Sequence, residues 1–413
     1  MSIPLGIQIC EGLLNLQGYS ASLIEVADYK SQKQIHVHIN STRPIQCPIC
    51  KQALPIYDTR LRYIQHASIL CKPVVLVLHQ VRTNCPSCGV KTEPQTIARG
   101  KNRHSILLEK LVLLLSSKLD NNTISELLGF SPSSIYRIDK EGLQQLEPLM
   151  SSCVPKPEHI SIDEMAHKRR HNYTTVMTNQ EDAKVIDIHP GKSKNSAMTL
   201  FSRWGHKFNW LQTISMDFSQ SYISAAVETF NEHYIVFDRF HFSRIVNRSL
   251  EKIRREIQQH LPDGLRKQSK KHSRWLVLRR SHNSNSHQLS NLEQLKVDNQ
   301  ELFEAYLLKE DLLSIFDEDI KKEEAESRLL AWCTCVEGTN YKPFQKLAIQ
   351  IRKRLSILLN WFEYHISNAK AEAVNNVIKA LLRRAFGYKD YEYFRLKVLQ
   401  KCGYLMYAFT HSL

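Results

Sequence analysis

At 413 residues the chain exceeds one ordinary core, so roughly two to four domains are expected. A hydrophobic share of 42% with 23% charged residues is that of a globular protein, so nothing in it forces disorder over a long span, and a formal charge of +15 favours a polyanionic partner such as nucleic acid. Aliphatic runs such as Leu111–Leu115 and Val74–Leu78 fall far short of the roughly 20 residues of a membrane span; Met1–Cys10 lacks the basic start and cleavage site of a secretory signal, so a cytoplasmic protein with no membrane partner is expected.

Residues 1 to about 40 form a lead-in with strand-like alternation at Ile35, Val37 and Ile39. Cys47-Pro48-Ile49-Cys50 and Cys85-Pro86-Ser87-Cys88 then repeat one knuckle, with 34 residues between Cys50 and Cys85 and a β-rich run, Val74–Leu78, among them. In a reducing compartment paired cysteines are tested first as metal sites. Four thiolates suffice for a closed tetrahedral Zn²⁺ site, and a ribbon with so small a core needs such a staple. Buried or redox-active cysteines are the alternative. Cys10, Cys71, Cys153, Cys333, Cys335 and Cys402 lack this pairing, and Cys333 with Cys335 reads as packing.

Residues 99–154 turn helical. Thr123-Ile124-Ser125-Glu126 is a capping box that opens a short helix ending at Gly129, and Ser131-Pro132 starts a second. On this second helix Ile135 and Ile138 face inward, while Ser133, Ser134 and Arg137 project outward as on the recognition helix of a helix-turn-helix. An αα-hairpin that only packs is the alternative.

After Pro155 and Pro157 come strand-like runs at Ile160–Ile162, Tyr173–Met177, Val185–Ile188, Leu211–Met216 and Tyr234–Phe237. Tyr222, Ala226 and Phe230 recur at helical spacing between the last two. Asp163, Asp217 and Asp238 each end a strand, with His241 close behind the third. If strands one and four are neighbours, Asp163 and Asp217 lie side by side, and two such anions call for Mg²⁺ or Mn²⁺ between them. An isolated Asp is more often a solvated charge; the shared placement is what favours a site.

From about 242 to 355 the pattern is helical, with a polar loop at Ser281–His287. Lys252–Arg280, dense in Lys and Arg around Trp275, either tracks DNA phosphates or is a solvated face. The last helical block supplies a third carboxylate, Glu372, which shares a helix face with Asn376, Lys379 and Arg383.

Together these residues resemble the insertion-sequence transposases of the ISL type, the ISL-three group, over nearly the whole chain. The likeness rests on Cys47, Cys50, Cys85 and Cys88, on Ile162-Asp163-Glu164, on Asp217 with Tyr222, and on Asp238-Arg239-Phe240-His241. It continues from Ser367-Asn368 through Glu372 to Asn375, then Arg384-Ala385-Phe386-Gly387-Tyr388. Such a family implies a ribonuclease-H-like core of the DDE kind with Asp163, Asp217 and Glu372 as its triad. Ala369 and Ala373 stand where the family often has Gly; Ala keeps the surface small and favours the helix.

The expected architecture is an α/β multi-domain chain. N-terminal strands and a zinc ribbon occupy 1–98, a helix-turn-helix 99–154, the first part of the core 155–241, a large helical insertion 242–355, and the final core helices 356–413. The 154 residues between Asp217 and Glu372, against 53 between the two aspartates, leave room for that insertion. The implied function is cleavage and joining of double-stranded DNA at transposon ends and target, in a bacterial nucleoid, by a homo-oligomer that brings two ends together. Asp238, His241 and Asn376 would support the triad, and Ser133, Ser134, Arg137, Lys379 and Arg383 would touch DNA. A stand-alone nuclease or resolvase and a non-catalytic DNA-binding regulator are the rival readings.

Overall fold

The computed structural model describes residues 12, 14, 16–29, 32–69, 72–168, 172–260, 274, 276–280, 286–366, 368–385 and 387–411. By their contacts they divide into two units, one of Met1–Cys153 with Glu392–Lys401 and Leu405–Leu413, the other of Val154–Tyr391 with Cys402–Tyr404.

The first unit opens on a five-stranded sheet of β1 (Tyr19–Tyr29), β2 (Gln32–Ser41), β3 (Asp58–Ile69), β4 (Lys72–Cys85) and β5 (Gly89–Thr92). The order is β1-β2-β4-β3, with β5 also on β4. Alternation puts Val37 and Ile39 of β2 on one face with Ile64 of β3 and Val74, Leu76 and Leu78 of β4, all buried in one core. The stretch expected as a lead-in therefore supplies two full strands, and β2 runs parallel to β4.

Three helices follow, α1 (Ile106–Ser116), α2 (Asn121–Leu128) and α3 (Pro132–Cys153), around Leu108, Val112, Ile124, Leu128, Phe130, Ile135 and Ile138. The start of α2 differs from the expected capping box. Asp120 caps it, accepting from the N–H groups of Asn122 and Thr123 at 3.1 and 3.0 Å, while Thr123 lies in the first turn and donates its hydroxyl to Asp120. A carboxylate three residues earlier thus serves the first orphan donors of a helix that begins three residues sooner. Gly129 ends α2 at φ +73°, and Ser131 caps α3 with Pro132 first in the helix, both as the sequence suggests.

The second unit is built on β6 (His159–Lys168), β7 (Asn172–Asn179), β8 (Lys184–Pro190), β9 (Thr213–Met216) and β10 (Ile235–Phe237). Their order is β10-β9-β6-β7-β8; β6, β7 and β8 form an antiparallel meander, and β9 and β10 run parallel to β6. The first strand is longer than expected. Parallel pairing with β9 stops at Ile162 opposite Met216, but antiparallel β7 carries β6 on to Lys168. Asp163 thus lies inside a strand, at the level where its parallel neighbours end.

Helix α4 (Lys194–Trp204) precedes β9; Ser193 caps it, and it buries Ala197, Leu200, Phe201 and Trp204. Helix α5 (Gln220–Thr229) is the expected one between β9 and β10. Then come α6 (Arg239–Gln259), α7 (Ser286–Asp298), α8 (Gln300–Ile315), α9 (Lys322–Glu337), α10 (Lys342–Lys353), α11 (Leu355–Leu359), α12 (Trp361–Tyr364) and α13 (Ala369–Arg384). The expected helical stretch begins slightly early, at Arg239. Trp275, most of the basic run before it, and residues 281–285 of the polar loop lie outside the described residues.

The chain ends in α14 (Tyr391–Cys402) and α15 (Leu405–His411). The sequence reading carries the core to 413, whereas the contacts group residues 392–401 and 405–413 with the first unit. The physical reason is a buried polar network between Lys397 and Gln400 of α14 and Ser116 and Asp139 of α1 and α3. No helix among the described residues is long and apolar enough to cross a membrane.

Candidate functional site

Register brings three aspartates to one level. Ile162 pairs with Met216, and Met216 with Phe237, so Asp163, Asp217 and Asp238 each stand one residue beyond matched positions on β6, β9 and β10. Phe218, the residue after Asp217, stacks on Phe237, the residue before Asp238, with ring centres 3.9 Å apart, which ties these two strand ends together. Glu372 arrives on the first turn of α13. Asp163, Asp217, Asp238 and Glu372 line one cavity of about 830 Å³, together with His241 and Lys379.

Each acid is held differently. The Asp163 carboxylate accepts from the Glu164 N–H and from the Asn375 side-chain amide, both at 2.7 Å. Burial pushes this carboxyl up to about 6; the Glu164 N–H and His241 oppose the shift, and the nearby Asp217 and Glu164 charges add to it. Asp217 accepts from the Ser219 N–H at 3.0 Å. Asp238 caps α6 through the Phe240 N–H and holds His241 Nδ1 at 2.7 Å. That hydrogen bond raises the His241 pKa against the cost of burial. Glu372 is exposed and lines the cavity.

On α13 the cavity face is Ala369, Glu372, Asn375 and Lys379. Asn376 and Arg383, expected on that face, are exposed and outside the lining. Lys370, in the first turn of α13, donates to the carbonyls of Gln180 and Glu181 at 2.6 and 3.1 Å and so ties the helix to the turn after β7. Buried Tyr222 of α5 pairs its hydroxyl with Thr175 of β7 at 3.0 Å. Ser367 and Phe386 lie outside the described residues.

In the first unit Cys47, Cys50, Cys85 and Cys88 bring their sulfurs within 4.8 Å of one another. Among the described residues no other three or more Cys, His, Asp or Glu ligand atoms gather so closely. Both knuckles turn through a left-handed residue just after the second cysteine, Lys51 at φ +63° and Gly89 at φ +70°. Backbone N–H groups of Cys50 and Ile49 draw the Cys47 thiol down to about 7, against burial. Burial and the neighbouring thiols push Cys88 up to about 12. Of the other cysteines, Cys333 is buried and Cys335 exposed, and Cys10 and Cys71 lie outside the described residues.

The transposase family model of the ISL3 DDE type matches residues 160–398. The chain belongs to this family. It is similar to the transposase for insertion sequence element IS1001 of Bordetella parapertussis, 24% identical over 95% of this chain and 97% of that protein. It is also similar to the transposase for insertion sequence element IS1557 of Mycobacterium tuberculosis (strain CDC 1551 / Oshkosh), 22% identical over 77% of this chain and 76% of that one. DNA transposition is its function, and the family is one of enzymes that cut and transfer DNA strands.

In this transposase Ser133 and Arg137 are exposed on α3 and Ser134 is half-buried. Ser131 holds both serines by their hydroxyls, at 3.1 and 2.9 Å. Residues to which the sequence assigns no role of their own also line the cavity of the acids, among them Asn375, Phe240, Arg244 and Arg248. For the last two a signal exists: His241, Arg244 and Arg248 follow i, i+3, i+7 spacing directly behind the Asp238 strand end.

Proposed function

We propose that the transposase cuts transposon ends and joins them to target DNA at the cavity of Asp163, Asp217 and Glu372, in a ribonuclease-H-like core. The observation that carries this reading is the convergence on one cavity of acids from β6, from the end of β9 and from α13, elements far apart in sequence. The sheet order, an antiparallel meander extended by two parallel strands, supports it.

Oxygen donors on three firmly held elements suit a hard divalent cation, and the upward pull of burial and neighbouring anions on Asp163 is what such a cation would relieve. Asp163, Asp217 and Glu372 would therefore hold Mg²⁺ or Mn²⁺. When bound there, the metal supplies an activated oxygen nucleophile, water for cleavage and a freed 3′-hydroxyl for joining, for in-line attack on a phosphodiester. The chain's own residues do the positioning: Asn375 holds Asp163, Asp238 fixes the His241 ring so that it can meet a phosphate, and Lys379, with Arg383 beyond it, attracts the backbone of the strand.

The four cysteines, with their backbone donors, fit a structural Zn²⁺ that staples the ribbon. Ser133, Ser134 and Arg137 on α3 are the residues we assign to reading the ends as the second helix of a helix-turn-helix. Joining two ends at once favours a homo-oligomer. Asp163→Asn, Asp217→Asn and Glu372→Gln are each expected to abolish cleavage and strand transfer of an end-containing duplex in Mg²⁺ while gel-shift binding persists. Undiminished cutting by any one of them removes that residue from the triad.

A further inference from the structure

A phenylalanine stands open in the cavity of the acids. Phe240 is 58% exposed, while Phe242 two residues on is buried against Phe218 and Phe316. Exposing so large a ring forgoes the gain of burial. Its backbone is fixed: Phe240 sits on the first turn of α6 with its N–H bound to Asp238, and the His241 ring lies edge-on to its ring at 5.9 Å.

Its neighbours give it a chemical meaning. One turn along α6, the Arg244 guanidinium lies 5.9 Å from the Phe240 ring centre. Arg248 follows a turn later, and Lys379 lines the cavity from α13. None of these three cations has an acidic partner among the described residues. Arg239 differs, because it is paired with Asp317, which also holds Arg280. A flat apolar face beside a guanidinium, with further free cations alongside, fits a nucleobase and the phosphates on either side of it. The volume of about 830 Å³ is in the range of pockets that enclose a small molecule, about 300–1,000 Å³, so there is room for more than a phosphate.

We propose that Phe240 and Arg244 form a stacking platform for one unpaired nucleobase next to the scissile phosphate, with Arg248 and Lys379 holding the flanking backbone. The inference rests on this cavity being the place of cleavage. A base inside a duplex keeps its phosphate at the radius of the helix; releasing it from the stack lets the backbone move toward Asp163 and Asp217, and an aromatic surface offsets part of the unpairing cost.

The test uses the full-length protein and a duplex carrying the element's terminal sequence. Phe240→Ala should slow single-turnover cleavage of the fully paired end by about 10-fold or more, the size of one lost base–aromatic stack. Phe240→Trp should keep near wild-type rates, and a mismatch at the nucleotide beside the cut should speed Phe240→Ala much more than wild type. In the D163N background, permanganate should oxidise a thymine beside the cut, and adding F240A should remove that reactivity. If Phe240→Ala matches wild type on the paired end, or if the mismatch helps both proteins equally, the platform is wrong. Undiminished cleavage by D163N, D217N and E372Q alike would instead refute the cavity as the catalytic site, while the thymine footprint still reports on Phe240, so the two ideas fail separately.

Discussion

Asn375 shows how one side chain can decide whether a carboxylate is usable. Its amide donates to one oxygen of Asp163 while the Glu164 N–H serves the other, and each oxygen keeps a lone pair free for a cation. Partners that orient a ligand in this way commonly govern metal affinity or activity by 10- to 100-fold. Asn375→Ala is therefore expected to lower cleavage by about that factor and to move the Mg²⁺ midpoint upward, whereas Asn376→Ala, on an exposed position, should do less. A Mg²⁺ titration of cleavage by both variants checks this, and equal midpoints would remove Asn375 from the role. Asp217 and Asp238 are legible in the sequence because each follows a short run of buried strand residues. Choosing between the adjacent asparagines needed one more step. Ala371, Val374 and Ile378 set the buried stripe of α13, and i, i+3, i+4, i+7 spacing places Asn375 on it.

At the scale of elements, β3 and α1 are joined by a buried histidine. His66 Nε2 lies 3.0 Å from the Leu14 carbonyl and Nδ1 2.7 Å from the Ser105 hydroxyl, which in turn accepts the Leu108 N–H that opens α1. This network is met by a neutral ring with its proton on Nε2, donating to Leu14 and accepting from Ser105. Burial lowers the pKa of His66, with the Leu14 carbonyl opposing. Because the folded pKa lies below the unfolded value of about 6.5, the stabilising effect is full above that value and is lost as pH falls toward the folded pKa. His66→Gln should destabilise the first unit by about 1–3 kcal/mol at pH 7.5, and the gap to wild type should narrow below about pH 6.5. Amide exchange of α1 measures it; a gap that stays constant with pH contradicts the linkage. Elements were legible where periodicity was clean, as in β7, β8 and α5. Helix α4 was passed over although Ala197, Leu200, Phe201 and Trp204 carry the same i, i+3, i+4, i+7 pattern behind the Ser193 cap, because its opening Lys194-Asn195-Ser196 reads as loop.

For the molecule as a whole, the least legible feature was where the chain goes after α13. Helix α14 buries Arg395, Lys397 and Gln400, which breaks the rule that inward helix positions are apolar and makes sense only once their partners are known. The Lys397 ammonium donates to Asp139 at 3.0 Å and to the Ser116 carbonyl at 2.9 Å, and Asp139 also accepts from the hydroxyls of Tyr393 and Ser116 at 2.6 and 2.5 Å. Burial pulls the Lys397 pKa down while Asp139 opposes, so the pair is held by geometry and full hydrogen bonding rather than by charge alone. Lys397 and Asp139 are 258 residues apart, a separation at which local pattern carries no information. Removing one member strands the other: Lys397→Met is expected to cost about 3–5 kcal/mol by leaving the Asp139 carboxylate buried and uncompensated, while adding Asp139→Leu should recover most of the loss. Since α14 packs within the first unit, the loss of amide-exchange protection should centre on α1 and α3, and gel-shift binding should weaken, with β6, β7 and β8 still protected. Earlier exposure of those core strands would mean that the C-terminal helices stabilise the second unit instead, as the sequence first suggests.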